Sequence, residues 1–224
     1  MLEGKKIIVT GSASGMGEAT LKAYVKAGAN VVGMDISDQK GKDISLNANN
    51  IGPGKCSFIH IDVSDKDSVK KAFNLALDEL KTLDVLAHPA AIQGPADASD
   101  VKVEDWDNMF AVNVRGTMLT NQTAFKYMKK NGSGSIINFG SISGLRPEPS
   151  ASAYSAAKGA VHSWTRTAAG TWGKYNIRVN AILPAIATPM YYAARKRSTE
   201  EELSLIHISE PTRQEAISYA VFCL

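Results

Sequence analysis

Tyr154 and Lys158 stand four residues apart, a spacing that on a helix puts both side chains on one face, with the ammonium in reach of the phenol. A free phenol titrates near 10, so accepting protons near neutrality asks for a lowering of roughly three pH units, about 4 kcal/mol. A neighbouring ammonium in a partly desolvated site supplies part of this by charge proximity. The chemistry this pair points to is proton transfer.

A second constellation lies near the start, where T-G-S-A-S-G-M-G runs from Thr10 to Gly17 between an apolar run and a helical stretch. Gly11, Gly15 and Gly17, with Ser14 and Met16 between them, fit a turn whose backbone N–H groups approach a pyrophosphate. Glycine permits the positive φ of such a turn and lets helix and strand come close. Eighteen residues after Gly17, at the end of the run VVGMD, is Asp35. A carboxylate there accepts hydrogen bonds from adenosine ribose hydroxyls and repels a 2′-phosphate, so the expected cofactor is NAD(H). No Arg or Lys stands at Ser12 or beside Asp35 to offset the repulsion. A cationic nicotinamide ring would then add to the charge acting on the phenol. Further on, Asp62-Val63 has two readings: an acceptor for the adenine amine, or a cap for the following helix.

The elements that must position these residues alternate. Short runs rich in Val and Ile predict strands near Lys6 to Thr10, Val31 to Asp35, Ser57 to Asp62, Val85 to Ala87, Ser135 to Phe139 and Arg178 to Leu183. Helical periodicity predicts helices over Gly15 to Ala27, Asp65 to Lys81, Val103 to Lys130 and Ala153 to Tyr175. Strand and helix in turn imply an α/β fold with a parallel sheet covered on both faces.

With 224 residues, a formal charge of +3 and 21% charged residues, the chain reads as one domain. No block of like charge points to nucleic acid. No apolar run is long enough for a membrane helix, and the start enters a strand directly, so the expectation is a cytoplasmic protein with no membrane partner. Cys56 and Cys223 give neither metal nor disulfide spacing. His60, His88 and His162 form no ligand pattern on one helix or turn and read as packing or surface residues. No metal is expected.

Taken together, T-G-x-x-x-G-x-G at Thr10 to Gly17, Y-x-x-x-K at Tyr154 to Lys158 and Ser141 thirteen residues before the tyrosine resemble the short-chain dehydrogenase/reductase family over Met1 to about Glu202. The resemblance implies a Rossmann-type doubly wound parallel sheet. It also implies Ser141 as the hydroxyl that polarises a substrate carbonyl, Tyr154 as general acid/base, and Lys158 as tuning group and grip on the nicotinamide ribose. Asn113, in NVRGT, would position a relay water; a helix-bending structural amide is the alternative. By the same resemblance Ala90 lines the cofactor cleft, Ile186 and Thr188 meet the nicotinamide carboxamide, and the two long helices build a dimer interface. The family's final strand helps make a tetramer.

The sequence departs from the family pattern at two places. His88-Pro89-Ala90-Ala91 replaces N-N-A-G, losing two amides, a backbone N–H and a glycine, which puts its bracing of the sheet in question. Pro184-Ala185-Ile186-Ala187-Thr188 is one residue shorter than usual. From Leu203, LSLIHISEPTR and then Ile217 to Leu224 resemble the conceptual translation of a sequencing-library adapter. The expected division is therefore a domain over 1–202 and a non-native tail over 203–224, with six strands and the family's last strand missing. The expected activity is hydride transfer between NAD(H) and a small secondary alcohol or ketone, cyclic or steroid-like. The alternatives are a 3-oxoacyl-thioester reductase and a catalytically idle nucleotide-binding regulator, and the intact parent is expected to be a homodimer or homotetramer.

Overall fold

The structure, a computed structural model, describes residues 1–148, 150–184 and, as backbone, 219–221. The predicted alternation is present. β1 (Lys6–Thr10), β2 (Asn30–Asp35), β3 (Lys55–His60), β4 (Val85–His88), β5 (Gly134–Phe139) and β6 (Ile177–Leu183) form a sheet in the order β3-β2-β1-β4-β5-β6. All of these pairings are parallel. The order reverses between β1 and β4, which opens a crevice at their C-terminal ends.

Both faces of the sheet are covered because successive side chains point to opposite sides. On one face Ile7 and Val9 pack with Leu21 and Val25 of α1 (Gly15–Lys26) and with Val31 and Ala48. On the other, Ile8 joins Val32, Leu86 and Ile136 against Phe73 of α3 (Lys66–Leu80). Phe73 is wholly buried, which removes enough apolar area from water to contribute about 3 kcal/mol.

Three departures from the predicted elements have physical causes. A helix α2 (Asp38–Ala48) stands where no helix is predicted. Its inward face is Gly41, Ser45 and Ala48, small residues that give little periodic signal but let it approach β3; a Cβ on Gly41 would fall 1.9 Å from Phe58. The long helix predicted over Val103 to Lys130 is divided into α4 (Val103–Phe110), a π-turn (Ala111–Arg115) and α5 (Gly116–Asn131). Gly116 follows that turn and lies against Val63, leaving no room for a Cβ. Last, the sheet has a seventh strand, β7 (Tyr219–Val221), antiparallel to β6, although the family's last strand is expected to be missing. An open sheet edge presents unpaired N–H and C=O groups that any extended segment can satisfy. The rest of the predicted tail, 203–218 and 222–224, lies outside the described residues.

α6 (Ser152–Trp172) follows β5, and Gly173–Tyr175 closes it with a 3₁₀ turn within its predicted span. Among the described residues no helix is long and apolar enough to cross a membrane.

The sheet is braced at the point left in question. His88, 2% exposed, shares hydrogen bonds through Nδ1 with the hydroxyls of Thr10 (2.7 Å) and Thr120 (3.3 Å), so one ring ties β4 to β1 and to α5. Burial, and secondarily the Lys158 charge, pushes its pKa down to about 3. An unfolded imidazole titrates near 6.5, so between these values the unfolded chain binds more protons and the fold loses stability as pH falls. Urea unfolding is expected to show a loss of about 2 kcal/mol from this residue between about pH 7 and pH 5. His88→Asn, which cannot titrate, should lose correspondingly less over the same interval; parallel losses in both proteins would refute the assignment.

Candidate active site

The turn after β1 is shaped by two close approaches. A Cβ on Gly17 would sit 1.8 Å from the Gly11 carbonyl oxygen, and one on Gly11 would sit 2.7 Å from the Ala90 Cα. Helix α1, β1 and the segment after β4 therefore meet at backbone contact, with Ala90 against Gly11. Gly15 differs, with φ +53° and open space where its Cβ would project. Ser14 caps α1 without a side-chain bond, and the first helical bond runs from the Glu18 N–H to the Ser14 carbonyl. The amides of Gly15, Met16 and Gly17 are thus the free donors of the helix end.

Asp35 ends β2 beside this turn. Its Oδ2 accepts from the Ala13 N–H (3.0 Å) and its Oδ1 from the Ser37 N–H (2.9 Å). The carboxylate holds the turn in place while each oxygen keeps lone-pair capacity for a further donor. Asp62 does not cap α3. Its Oδ1 accepts from the backbone and hydroxyl of Ser64, and the cap is Asp65, which accepts from the Ser68 N–H. The Val63 side chain is buried in the core, with Gly116 packed against it. Ile186 and Thr188 lie outside the described residues.

The second half of the site is built on β5 and α6. Ser141 follows Gly140 at the end of β5, and its hydroxyl is hydrogen-bonded to that of Ser143 at 3.2 Å. Tyr154 and Lys158 are buried on one face of α6, with Lys158 Nζ 5.5 Å from the phenol ring centre. The ammonium donates to the Phe139 carbonyl at 2.7 Å. Burial pushes Lys158 down to about 8, which leaves it largely charged at neutral pH. Burial raises the Tyr154 phenol above 10, opposed by a side-chain hydrogen bond with Ser141. Without bound charge, then, desolvation outweighs the lowering that the spacing leads one to expect.

Asn113 is 1% exposed in the π-turn. Its Oδ1 accepts from the Ile92 N–H (2.9 Å) and its Nδ2 donates to the Ile92 carbonyl (2.8 Å). The side chain is committed to pinning the segment after β4. Its backbone carbonyl accepts from the Thr117 hydroxyl at 2.7 Å.

One residue expected from the sequence only as packing or surface stands close to the site. His162 is buried, and its Nε2 accepts from the Ser141 N–H at 3.2 Å. The available signal was its position, four residues beyond Lys158 and eight beyond Tyr154 on the same helical face.

The turn geometry has a consequence for stability. Gly17→Ala drives a Cβ into a backbone oxygen that cannot move aside, with an expected loss of about 3 kcal/mol. Gly15→Ala meets no atom and costs about 1 kcal/mol for its positive φ. Thermal melting followed by circular dichroism should therefore rank the two far apart, and equal losses would contradict the packing described.

A family model described as short chain dehydrogenase matches residues 5–199. The chain is 34% identical over 224 residues to the 3-oxoacyl-[acyl-carrier-protein] reductase of Thermotoga maritima, covering 100% of this chain and 91% of that protein. It is 36% identical over 187 residues to the cyclopentanol dehydrogenase of Comamonas sp., covering 83% and 74%. The solved 3-ketoacyl-(acyl-carrier-protein) reductase of Brucella melitensis, complexed with NADH, superposes with a TM-score of 0.80 at 31% identity, covering 86% of this chain and 80% of that one. With the family model spanning most of the chain and a relative at this identity covering all of it, the chain is an oxidoreductase of the short-chain dehydrogenase family.

Proposed function

We propose that the chain transfers a hydride between NAD(H) and the carbinol or carbonyl carbon of a small secondary alcohol or ketone, with a cyclic substrate favoured. The observation that carries this reading is the convergence of Ser141, Tyr154 and Lys158 at the C-terminal ends of the sheet. The Ser141 side chain acts on the phenol against the effect of burial, and the ammonium lies 5.5 Å from the phenol ring centre, one helical turn away.

The residues present fit a dinucleotide. The free amides of Gly15, Met16 and Gly17 and the open space at Gly15 would take the pyrophosphate. The remaining lone pairs of Asp35 would take the ribose hydroxyls, and the unshared Oδ2 of Asp62 the adenine amine. Ala90 would wall the cleft at backbone level. Ile186 and Thr188 keep their proposed place beside the carboxamide. When bound, the dinucleotide supplies the hydride donor or acceptor at nicotinamide C4 and, oxidised, a positive charge near the phenol.

The chain's own part is orientation and proton transfer. Ser141 Oγ donates to the substrate oxygen and fixes it beside the Tyr154 hydroxyl. In reduction the phenol gives its proton to that oxygen; in oxidation the phenolate takes it back. Lys158 stabilises the phenolate electrostatically, and two of its three N–H donors remain for the nicotinamide ribose. The proposed relay runs through water held at the Asn113 backbone carbonyl, since the Asn113 amide is occupied.

A 3-oxoacyl-thioester reductase is the second reading, favoured by the Thermotoga maritima relative. Asp35 does not separate the two, because the Brucella melitensis reductase is itself complexed with NADH. Homodimer or homotetramer assembly of the intact parent through α4, α5 and α6, and a non-native origin for 203–224, are proposals of the same standing.

Tyr154→Phe is expected to lower kcat about 10²- to 10⁴-fold while NADH fluorescence titration shows unchanged binding; full activity would overturn the mechanism. NADH should bind more tightly than NADPH, and Asp35→Ser should narrow the gap. Because burial raises the phenol, cyclopentanol oxidation should climb from about pH 6 to 9 as the small phenolate fraction grows, while cyclopentanone reduction, which uses the protonated phenol, should stay nearly flat. Turnover of a 3-oxoacyl thioester in preference to cyclopentanone would select the second reading.

A further inference from the structure

Histidine 162 is enclosed by a backbone that has left room for its ring. A Cβ on Gly140 would lie 2.3 Å from His162 Nε2, and one on Gly144 would lie 2.8 Å from its Cε1. These two glycines bracket Ser141 to Ser143, so the imidazole sits in a slot formed by the turn that carries the substrate-facing hydroxyl. Its Nε2 accepts from the Ser141 N–H at 3.2 Å. That bond needs a lone pair on Nε2 and therefore a neutral ring with its proton on Nδ1. Among the described residues Nδ1 is buried without a partner.

The helix that carries this ring also carries Tyr154 and Lys158. Through His162 the position of the Ser141 backbone is thus referred directly to the element that holds the phenol. We infer that neutral His162 is a positioning residue for Ser141, fixing its turn, and hence its hydroxyl, against Tyr154. Protonation removes the only acceptor facing the Ser141 amide from this ring and replaces it with a second donor.

The charged groups that act on the ring are Lys158 and Arg166, both on α6, which with burial push its pKa below 6.5, burial being the larger effect. Gly140 and Gly144 from the β5 side, and Leu183 of β6 beside Gly140, bring no charge. The bond is therefore present at neutral pH and lost in acid.

The test uses the full 224-residue chain, ¹⁵N-labelled, with the Ser141 amide assigned by comparison with Ser141→Ala. In the wild type this amide is expected to exchange slowly and to shift as His162 titrates, with a midpoint below 6.5. His162→Leu should remove both the pH dependence and the protection, with exchange roughly tenfold faster. His162→Gln, whose carbonyl can accept from the same amide, should restore protection but not the titration. An amide equally protected and equally pH-dependent in all three proteins overturns the proposal.

The kinetic arm rests on the oxidoreductase reading given above. With NAD⁺ and cyclopentanol, His162→Leu should lower kcat roughly tenfold with KM nearly unchanged, and His162→Gln should recover most of it. Equal losses in the Leu and Gln variants would refute a positioning role. If the wild type turns over no alcohol or ketone, that counts against the proposed activity, and the amide result alone decides the role of His162 in holding the Ser141 turn.

Discussion

The arrangement at the end of the sheet depends on keeping an ammonium charged while it is buried. Lys158 is 3% exposed and, among the described residues, has no carboxylate partner. Desolvating such a group without compensation costs several kcal/mol. The compensation visible here is the carbonyl of Phe139 at 2.7 Å, and it exists because β5 ends at that residue, leaving its oxygen unclaimed by the sheet ladder. One carbonyl satisfies one of three donors. The other two donors are those proposed above for the nicotinamide ribose.

Strand ends and a helix face divide the work. β1 and β4 contribute backbone, at distances where even a methyl group would not fit: Gly11 against Ala90, and Gly17 against the Gly11 carbonyl. α6 contributes side chains at positions four and eight residues apart. Between the two, Gly144 approaches the Gly159 amide so closely that a Cβ would lie 2.7 Å away, which keeps the Ser141 turn in contact with the helix. Precision in the site comes from these backbone contacts, which have fewer ways to relax than side-chain packing does.

Much of this was legible in the sequence, because the chemistry depends on residue type and short spacing. The Tyr154–Lys158 face, the glycine turn and the strand-end Asp35 follow from helical period and strand termination. What the sequence hid are features set by contacts far along the chain. The amide of Asn113 is spent on Ile92, twenty-one residues away, and Val63 packs in the core against Gly116. Helix α2 was invisible because it packs with small residues instead of an apolar stripe. His88 stands where the family carries an asparagine. The loss of amides was evident, but the replacement bonds to Thr10 and Thr120 join positions 78 and 32 residues apart.

The electrostatics of Tyr154 show where a spacing argument reaches its limit. Four residues on a helix bring an amine near a phenol, yet the same burial that makes the amine effective also penalises the phenolate. In the protein alone burial is the larger effect, so the phenol rests as an acid, the form needed to protonate a carbonyl oxygen. The opposite direction, taking a proton from an alcohol, is helped by any further positive charge brought near the phenol. In the proposed mechanism the protein thus needs no separate residues for oxidation and reduction. On that proposal one phenol, one hydroxyl and one ammonium would serve both, with the preferred direction set by the pH and by the charge state of whatever occupies the crevice between β1 and β4.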